Sequence, residues 1–323
     1  MLEAYQSVAG HLQPHEGIPS DFSTTVWVDL HAPSREEEVA VENGLGLSVP
    51  TRADMEEIEV SSRLYAEDGN YFMTAILPAK SDDESPELAP VTFVLAGQHL
   101  ITVRYHDPQP FKTFSARAQR ADMGCTDAET VLVGLLETVV DRLADILERG
   151  GTDIDALSRE IFESSERKRK AKPNFNAVLK ALGRKGDINS KIRDSLVTLE
   201  RLSGYLGHVA MTRGSGKDIR DRIKTLGRDV RSLSDHANFL FQKITFLLDA
   251  TLGMINIEQN GIIKIFSVAA VIFLPPTLIA SIYGMNFDFM PELDWLFGYP
   301  FAIGLMAASA GGTFLYFKRR GWL

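Results

Sequence analysis

Near the C-terminal end, Tyr283-Gly284-Met285-Asn286 combine residue types that could handle an ion. Asn286 offers a neutral amide oxygen, and the acids Asp288, Glu292 and Asp294 follow at short intervals. An amide oxygen can accept a hydrogen bond from water held by a metal, while carboxylates attract cations through space. Gly284 lets the backbone turn where a helix ends. Alone, a glycine-terminated helix with an asparagine in its turn is an ordinary feature. The residues before it change that balance. Asp249, Asn256, Asn260, Ile263, Ser267, Ala270, Leu274, Thr277 and Ser281 recur at a step of seven and then alternately four and three. That spacing puts them all on one face of a continuous helix.

The elements that must position these residues are apolar. Ile265–Phe287 and Trp295–Phe317 carry no charge. Each is about 23 residues long, where a membrane-spanning helix needs roughly 20. Two spans joined by a short loop are predicted. Lys264 flanks the first span, Lys318-Arg319-Arg320 follow the second, and no Lys, Arg or His lies between. Basic flanks stay cytoplasmic, so both termini are expected inside and the loop outside. Tyr283, Trp295, Tyr299 and Tyr316 lie near span ends, as aromatic belts do. A polar stripe in a membrane helix must face protein or water. Ser267 and Ala270 alone would suit close helix packing. Asn256, Asn260 and Asp249 on the same stripe favour a wet lining. Two helices cannot enclose water, so such a lining needs several copies of the chain.

Tyr283-Gly284-Met285-Asn286, the loop Met290-Pro291-Glu292-Leu293 and a last span ending in basic residues resemble the CorA family of magnesium/cobalt transporters. The run from Ile255 to Ser267 and Phe273-Leu274-Pro275-Pro276-Thr277 are similar to its proteobacterial magnesium-transporting branch. The resemblance is specific over the last quarter of the chain and general elsewhere. It implies an α+β cytoplasmic domain, a long stalk helix and two transmembrane helices, assembled as a funnel-shaped homopentamer in the bacterial inner membrane. The first span would line the pore, with Gly284, Met285 and Asn286 as the selectivity filter at its outer mouth. Residue by residue, Thr277 would form a polar ring, Leu274, Phe266 and Ile263 an apolar constriction, and Asn260 and Asp249 polar rings toward the cytoplasm. Asp288 and Glu292 would attract cations outside. Asn286, through ion-bound water, and Asp249 would be the metal contacts. Leu274 and Ile263 stand where some relatives carry Met.

Mg²⁺ is implied as the transported ion and also as the regulatory one, bound between neighbouring cytoplasmic domains to close the channel; no cofactor is expected. The ion keeps an octahedral water shell and dehydrates reluctantly. A ring of amides would hold that shell more weakly than a ring of carboxylates, and conduction needs an ion that can leave. Met285 is expected to pack behind the turn. Pro275-Pro276 remove backbone donors and should bend or loosen the helix, either beside a gate or for packing alone.

The 323 residues include 34 basic and 43 acidic ones, a net charge of −9. Only four of the basic and three of the acidic residues follow Asn260, which leaves −10 on the first 260. That bias argues against a nucleic-acid partner and suits either a cation-collecting domain or a solvated acidic surface. Cys125, the single cysteine, excludes a disulfide framework. Residues 1–20 lack signal-peptide character, so the first span is expected to be the anchor in lipid.

The expected division is a cytoplasmic α/β domain at 1–125, a helical region at 126–216, and a stalk helix at 217–283 whose end, about 262–283, is the first span. An extracytoplasmic loop at 284–297, a second span at 298–317 and a basic cytoplasmic tail at 318–323 complete it. Strands are predicted at Thr25–Asp29, Arg63–Ala66, Tyr71–Leu77, Val91–Leu95 and His99–Tyr105, the last two joined through Ala96-Gly97-Gln98. Ser34 and Glu37 form a capping-box pattern opening a helix that ends near Gly44. Val131, Leu135, Val139, Leu143 and Leu147 line one helix, and Ile154, Leu157 and Ile161 begin another. Helices follow over Phe175–Leu182 and Ile188–Met211, then a break at Gly214-Ser215-Gly216. The basic run Glu166–Pro173 is a solvated helix end or a contact for an acidic neighbour or anionic lipid. As one helix, 217–283 would run about 100 Å.

No phosphate-binding glycine fingerprint, paired histidines or catalytic constellation is present, so the chain is not read as an enzyme. Asp218, Asp221, Asp229 and Asp235 could serve a regulatory ion between subunits. The reading that unites these features is a channel-like Mg²⁺ importer driven by gradient and membrane potential. One alternative is the same fold carrying Co²⁺, Ni²⁺, Zn²⁺ or Mn²⁺. Another, of a different class, is a non-conducting membrane-tethered sensor or scaffold.

Overall fold

Alternating apolar residues near the N-terminus build a seven-stranded sheet whose two faces are both covered. The computed structural model describes residues 1–15, 17–19, 21–81, 86–163, 174–286, 290–291 and 294–322. These form two compact units, Met1–Leu248 and Asp249–Leu323. The strands are β1 (Leu2–Val8), β2 (His11–His15), β3 (Thr25–His31), β4 (Leu64–Glu67), β5 (Asn70–Ala79), β6 (Glu87–Ala96) and β7 (His99–Arg104). Their order is β2-β1-β3-β7-β6-β5-β4. Only β3 and β7 pair in parallel; the other neighbours are antiparallel.

Because side chains alternate across a strand, consecutive residues feed different cores. Val91, Phe93 and Leu95 of β6 join Trp27 and Leu100 beneath the long helices, whereas Val94 and Ala96 join Val28, Leu30 and Val103 on the other face. That second face is covered by α1 (Arg35–Leu45), through Val41, and α2 (Arg52–Glu56), through Met55. The first is covered by α4 (Gln109–Arg120), α5 (Ala128–Glu163) and α6 (Phe175–Thr212), with residues from α7 (Lys217–Tyr283). A short α3 (Val60–Arg63) precedes β4, and α8 (Gly298–Arg319) follows α7.

One polar chain crosses the first core. Trp27 Nε1 donates to Thr102 Oγ1 at 3.0 Å, and that hydroxyl donates to Asp29 Oδ1 at 2.7 Å. Arg104 closes the chain, its Nη2 2.8 Å from Asp29 Oδ2 and its Nη1 donating to the His106 carbonyl and to Asp107. The guanidinium also lies over the Phe111 ring, 4.8 Å from its centre. Buried charges survive only when paired and hydrogen-bonded in this way.

The structure departs from the sequence expectations at several places. β1 and β2 were absent from them, and they occupy one side of the sheet with β2 as its edge strand. β2 contains Pro14, which an edge tolerates because no neighbour needs its missing N–H. The turn between them places Ala9 and Gly10 at φ 51° and 80°, and a Cβ at Gly10 would collide with Asp122. α5 is a single helix through Gly150-Gly151, not two, and α6 runs unbroken from Phe175 to Thr212. Helix α4 is also additional to the sequence reading. The capping box at Ser34 is present, with Ser34 N donating to Glu37 Oε2 at 2.8 Å, and the helix ends on Gly46 at φ 66°. The basic run Glu166–Pro173 lies outside the described residues, apart from which Arg213 of the break region reaches Glu129 at 2.6 Å.

Candidate functional site

The stripe residues all lie on α7, which is helical from Lys217 to Tyr283. Asp249, Asn256, Asn260, Ile263, Ser267, Ala270, Leu274, Thr277 and Ser281 are all exposed in a single chain. Ile263, Phe266 and Leu274 leave 61%, 72% and 65% of their surface uncovered. Large apolar side chains so exposed mark a surface that something else must cover. Exposure is not confined to the stripe, since Ile265 and Phe273 on other faces are open too. Chemistry distinguishes the faces within the span itself: from Ile265 to Ile282 the hydroxyls of Ser267, Thr277 and Ser281 all lie on the stripe, while Thr251, Glu258 and Gln259 are off it nearer the start of this unit.

Pro275 and Pro276 sit inside the helix, leaving the carbonyls four residues earlier, on Val271 and Ile272, without their usual donors. Thr277 Oγ1 donates to a different carbonyl, that of Phe273, at 2.7 Å. The helix closes with Gly284 N donating to Ala280 O at 3.0 Å and Met285 N to Ile282 O at 3.3 Å. A Cβ at Gly284 would meet the Ala280 carbonyl at 3.1 Å, tighter than most side chains accept. Met285 is half exposed and is not packed away within one chain. Asn286 is exposed immediately after it. Asp288 and Glu292 lie outside the described residues. The sequence reading treated Lys264 only as a flanking charge. Its Nζ donates to the Gly321 carbonyl at 3.3 Å and lies 5.8 Å from the Trp322 ring centre, tying the two helices of this unit together.

Asp218, Asp221, Asp229 and Asp235 are exposed along α7. Among the described residues no group of three or more His, Cys, Asp or Glu could hold a metal ion within one chain. α7 and α8 are long and apolar enough to cross a membrane.

Comparison with known proteins decides the family. The family described as CorA-like Mg²⁺ transporter protein matches residues 22–319. The chain belongs to the CorA-like Mg²⁺ transporter family. Among curated relatives, the magnesium transport protein CorA of Haemophilus influenzae is 38% identical over the full length of both chains. That of Pasteurella multocida is 38% identical over 95% of each chain, and that of Escherichia coli K12 is 37% identical over both full lengths. These organisms belong to the branch that the motifs around Asn260 and Pro275 indicated. The relatives are named as transporters, so the family is not one of enzymes. The complete structure of the CorA magnesium transporter from Methanocaldococcus jannaschii superposes with a TM-score of 0.79 at 20% identity, covering 100% of this chain and 99% of that one. Full-length CmaX gives 0.73 at 14% identity, over 99% and 97%. The fold is therefore that of CorA: a mixed α/β N-terminal part, a long helix and a second apolar helix.

Proposed function

We propose that this chain is one subunit of a homopentameric channel that imports hydrated Mg²⁺ through a pore lined by α7. The observation that carries this reading is the run of exposed polar and small residues from Asp249 to Ser281, which a single chain leaves without a neighbour. Five copies would turn each position into a ring. Asn286, with Gly284 and Met285, would form the outer selectivity site, accepting hydrogen bonds from ion-bound water, with Asp288 and Glu292 concentrating cations before it. Thr277, Leu274, Phe266, Ile263, Asn260 and Asp249 would follow inward as polar, apolar and again polar rings.

The apolar rings gate by excluding water when they close. Mg²⁺ bridging acids such as Asp221 or Asp229 between copies would hold the assembly shut. α7 contributes to both units, so that bridging has a covalent route to the rings. Both termini would lie in the cytoplasm of a bacterium, with 1–216 soluble, 262–283 and 298–317 spanning the inner membrane, and 284–297 outside. The membrane potential supplies about 4.6 kcal/mol per 100 mV for a doubly charged ion, so no ATP is required.

The test is Mg²⁺ flux into proteoliposomes. Asn286→Ala is expected to lower uptake at least about tenfold, since one lost water-binding ring removes roughly 1.4 kcal/mol or more. Unchanged uptake and ion preference would refute the site. Cysteines placed along the stripe should react with aqueous thiol reagents, whereas a non-conducting scaffold would keep them inert.

A further inference from the structure

One charge beside the apolar positions of α7 has no part in the ion path. Lys264 is the only charged residue between Glu258 and Asp288, and the segment from Gly298 to Trp322 contains no acid. No carboxylate lies within a turn of Lys264 on α7, and α8 offers none. The side chain is half-buried, so its ammonium needs other partners. It finds them on the turn that ends α8.

That turn follows from local sequence. Gly321 takes φ 70°, a left-handed value that glycine adopts without strain, and nothing lies within 4 Å of where a Cβ would stand. Gly321 N donates to Lys318 O at 3.2 Å, and Trp322 N donates to Phe317 O at 3.0 Å. Paired bonds of this kind around a left-handed glycine form the Schellman ending of a helix, which an apolar contact across the turn completes. Here the contact is Trp322 on Phe317, with ring centres 5.5 Å apart. The chain thereby doubles back toward α7. The Gly321 carbonyl accepts from Lys264 Nζ at 3.3 Å, and the centre of the Trp322 ring lies 5.8 Å from the same nitrogen. An ammonium that close to an indole is drawn to the negative face of the ring, more strongly where water is scarce.

We propose that this turn is a latch in which Gly321 and Trp322 grip Lys264 and so fix the level and rotation of α7 at Ile263 and Phe266. Lys264 and Trp322 are then positioning residues for ion passage, acting through the apolar ring and touching no ion themselves. Such a ring stops ions only while its bore stays narrow enough to exclude water. A loosened latch therefore lets the closed pore wet and leak. The inference rests on the channel reading above and names what holds its constriction in register.

The experiment is Mg²⁺ flux through the full chain in proteoliposomes, with internal Mg²⁺ high to close the pore or low to open it. Trp322 is replaced by tryptophans carrying successively more ring fluorines, which keep the shape of the indole while weakening its negative face. Closed-state flux should climb stepwise along that series to about threefold or more, with open-state flux unchanged. Lys264→Arg should keep the slope, because a guanidinium also binds the ring face. Lys264→Met should leak from the outset and erase the slope. Gly321→Ala, strained at φ 70°, should leak like Lys264→Met and add nothing to it in the double variant. A flat fluorine series, a slope that survives Lys264→Met, or additive leaks would each overturn the latch, while Mg²⁺ uptake by the parent chain keeps the channel reading intact. A parent chain that carries no Mg²⁺ overturns both.

Discussion

The two units solve the burial problem in opposite ways. In Met1–Leu248, Trp27, Phe93, Phe111 and Phe114 are fully buried, and the charged Asp29–Arg104 pair is enclosed with them. In Asp249–Leu323, Val268 and Ala302 are the only apolar side chains described at comparable depth. Phe273 is 67% exposed and Leu296 89%. Water drives the first arrangement, since apolar area removed from it stabilises the fold. The second would be penalised in water and suits a solvent of lipid tails. A substitution should therefore act on stability in the first unit and on ion passage in the second.

The largest expected effect tests the enclosed pair. Asp29→Asn leaves Arg104 buried without its main counter-charge, and breaking such a pair costs about 3–5 kcal/mol. Chemical denaturation of the full chain should show this loss; a change below about 1 kcal/mol would mean the network is dispensable. Next, Leu274→Ser should raise Mg²⁺ flux under closing conditions about tenfold, by wetting an apolar ring. Its denaturation midpoint should stay within about 0.5 kcal/mol of the parent, as for other exposed positions. Equal damage to folding would erase the contrast between units.

A smaller effect belongs to the capping box. Ser34→Ala removes the acceptor for Glu37 N and should cost about 1 kcal/mol with flux unchanged.

The smallest effect is a pH slope. Burial holds His106 below its usual value of 6.5, opposed by the bond between its Nε2 and the Leu77 carbonyl at 2.9 Å. The neutral ring is thus favoured in the fold, and the unfolded chain takes up the proton first. Its contribution is complete above about pH 6.5 and is lost as the pH falls below that toward the folded value. Melting curves of His106→Gln should flatten that part of the profile, and an unaltered slope would assign it to carboxylates.

Residue patterns made much of this legible. The three-and-four spacing from Asp249 to Ser281 marked one helix face, and Ser34 with Glu37 marked a helix start. Both signals are local, set by backbone geometry within a few turns. β1 and β2 escaped because His11, Gln13, Pro14 and His15 have little strand propensity; they pair because β1 offers an edge beside β3. The apolar periods ending at Leu147 and starting at Ile154 were assigned to two helices, but packing along α5 carries one helix through Gly150-Gly151.

Length, hydropathy and flanking charge determined by themselves that two segments suit a membrane, because those are properties of continuous stretches. They also determined the order of polar and apolar positions along α7. Only the tertiary structure decided that Asp29, Thr102 and Arg104 meet in one buried chain, and that Lys264 meets Gly321 and Trp322. Such juxtapositions join residues far apart in the chain, and no local period encodes them.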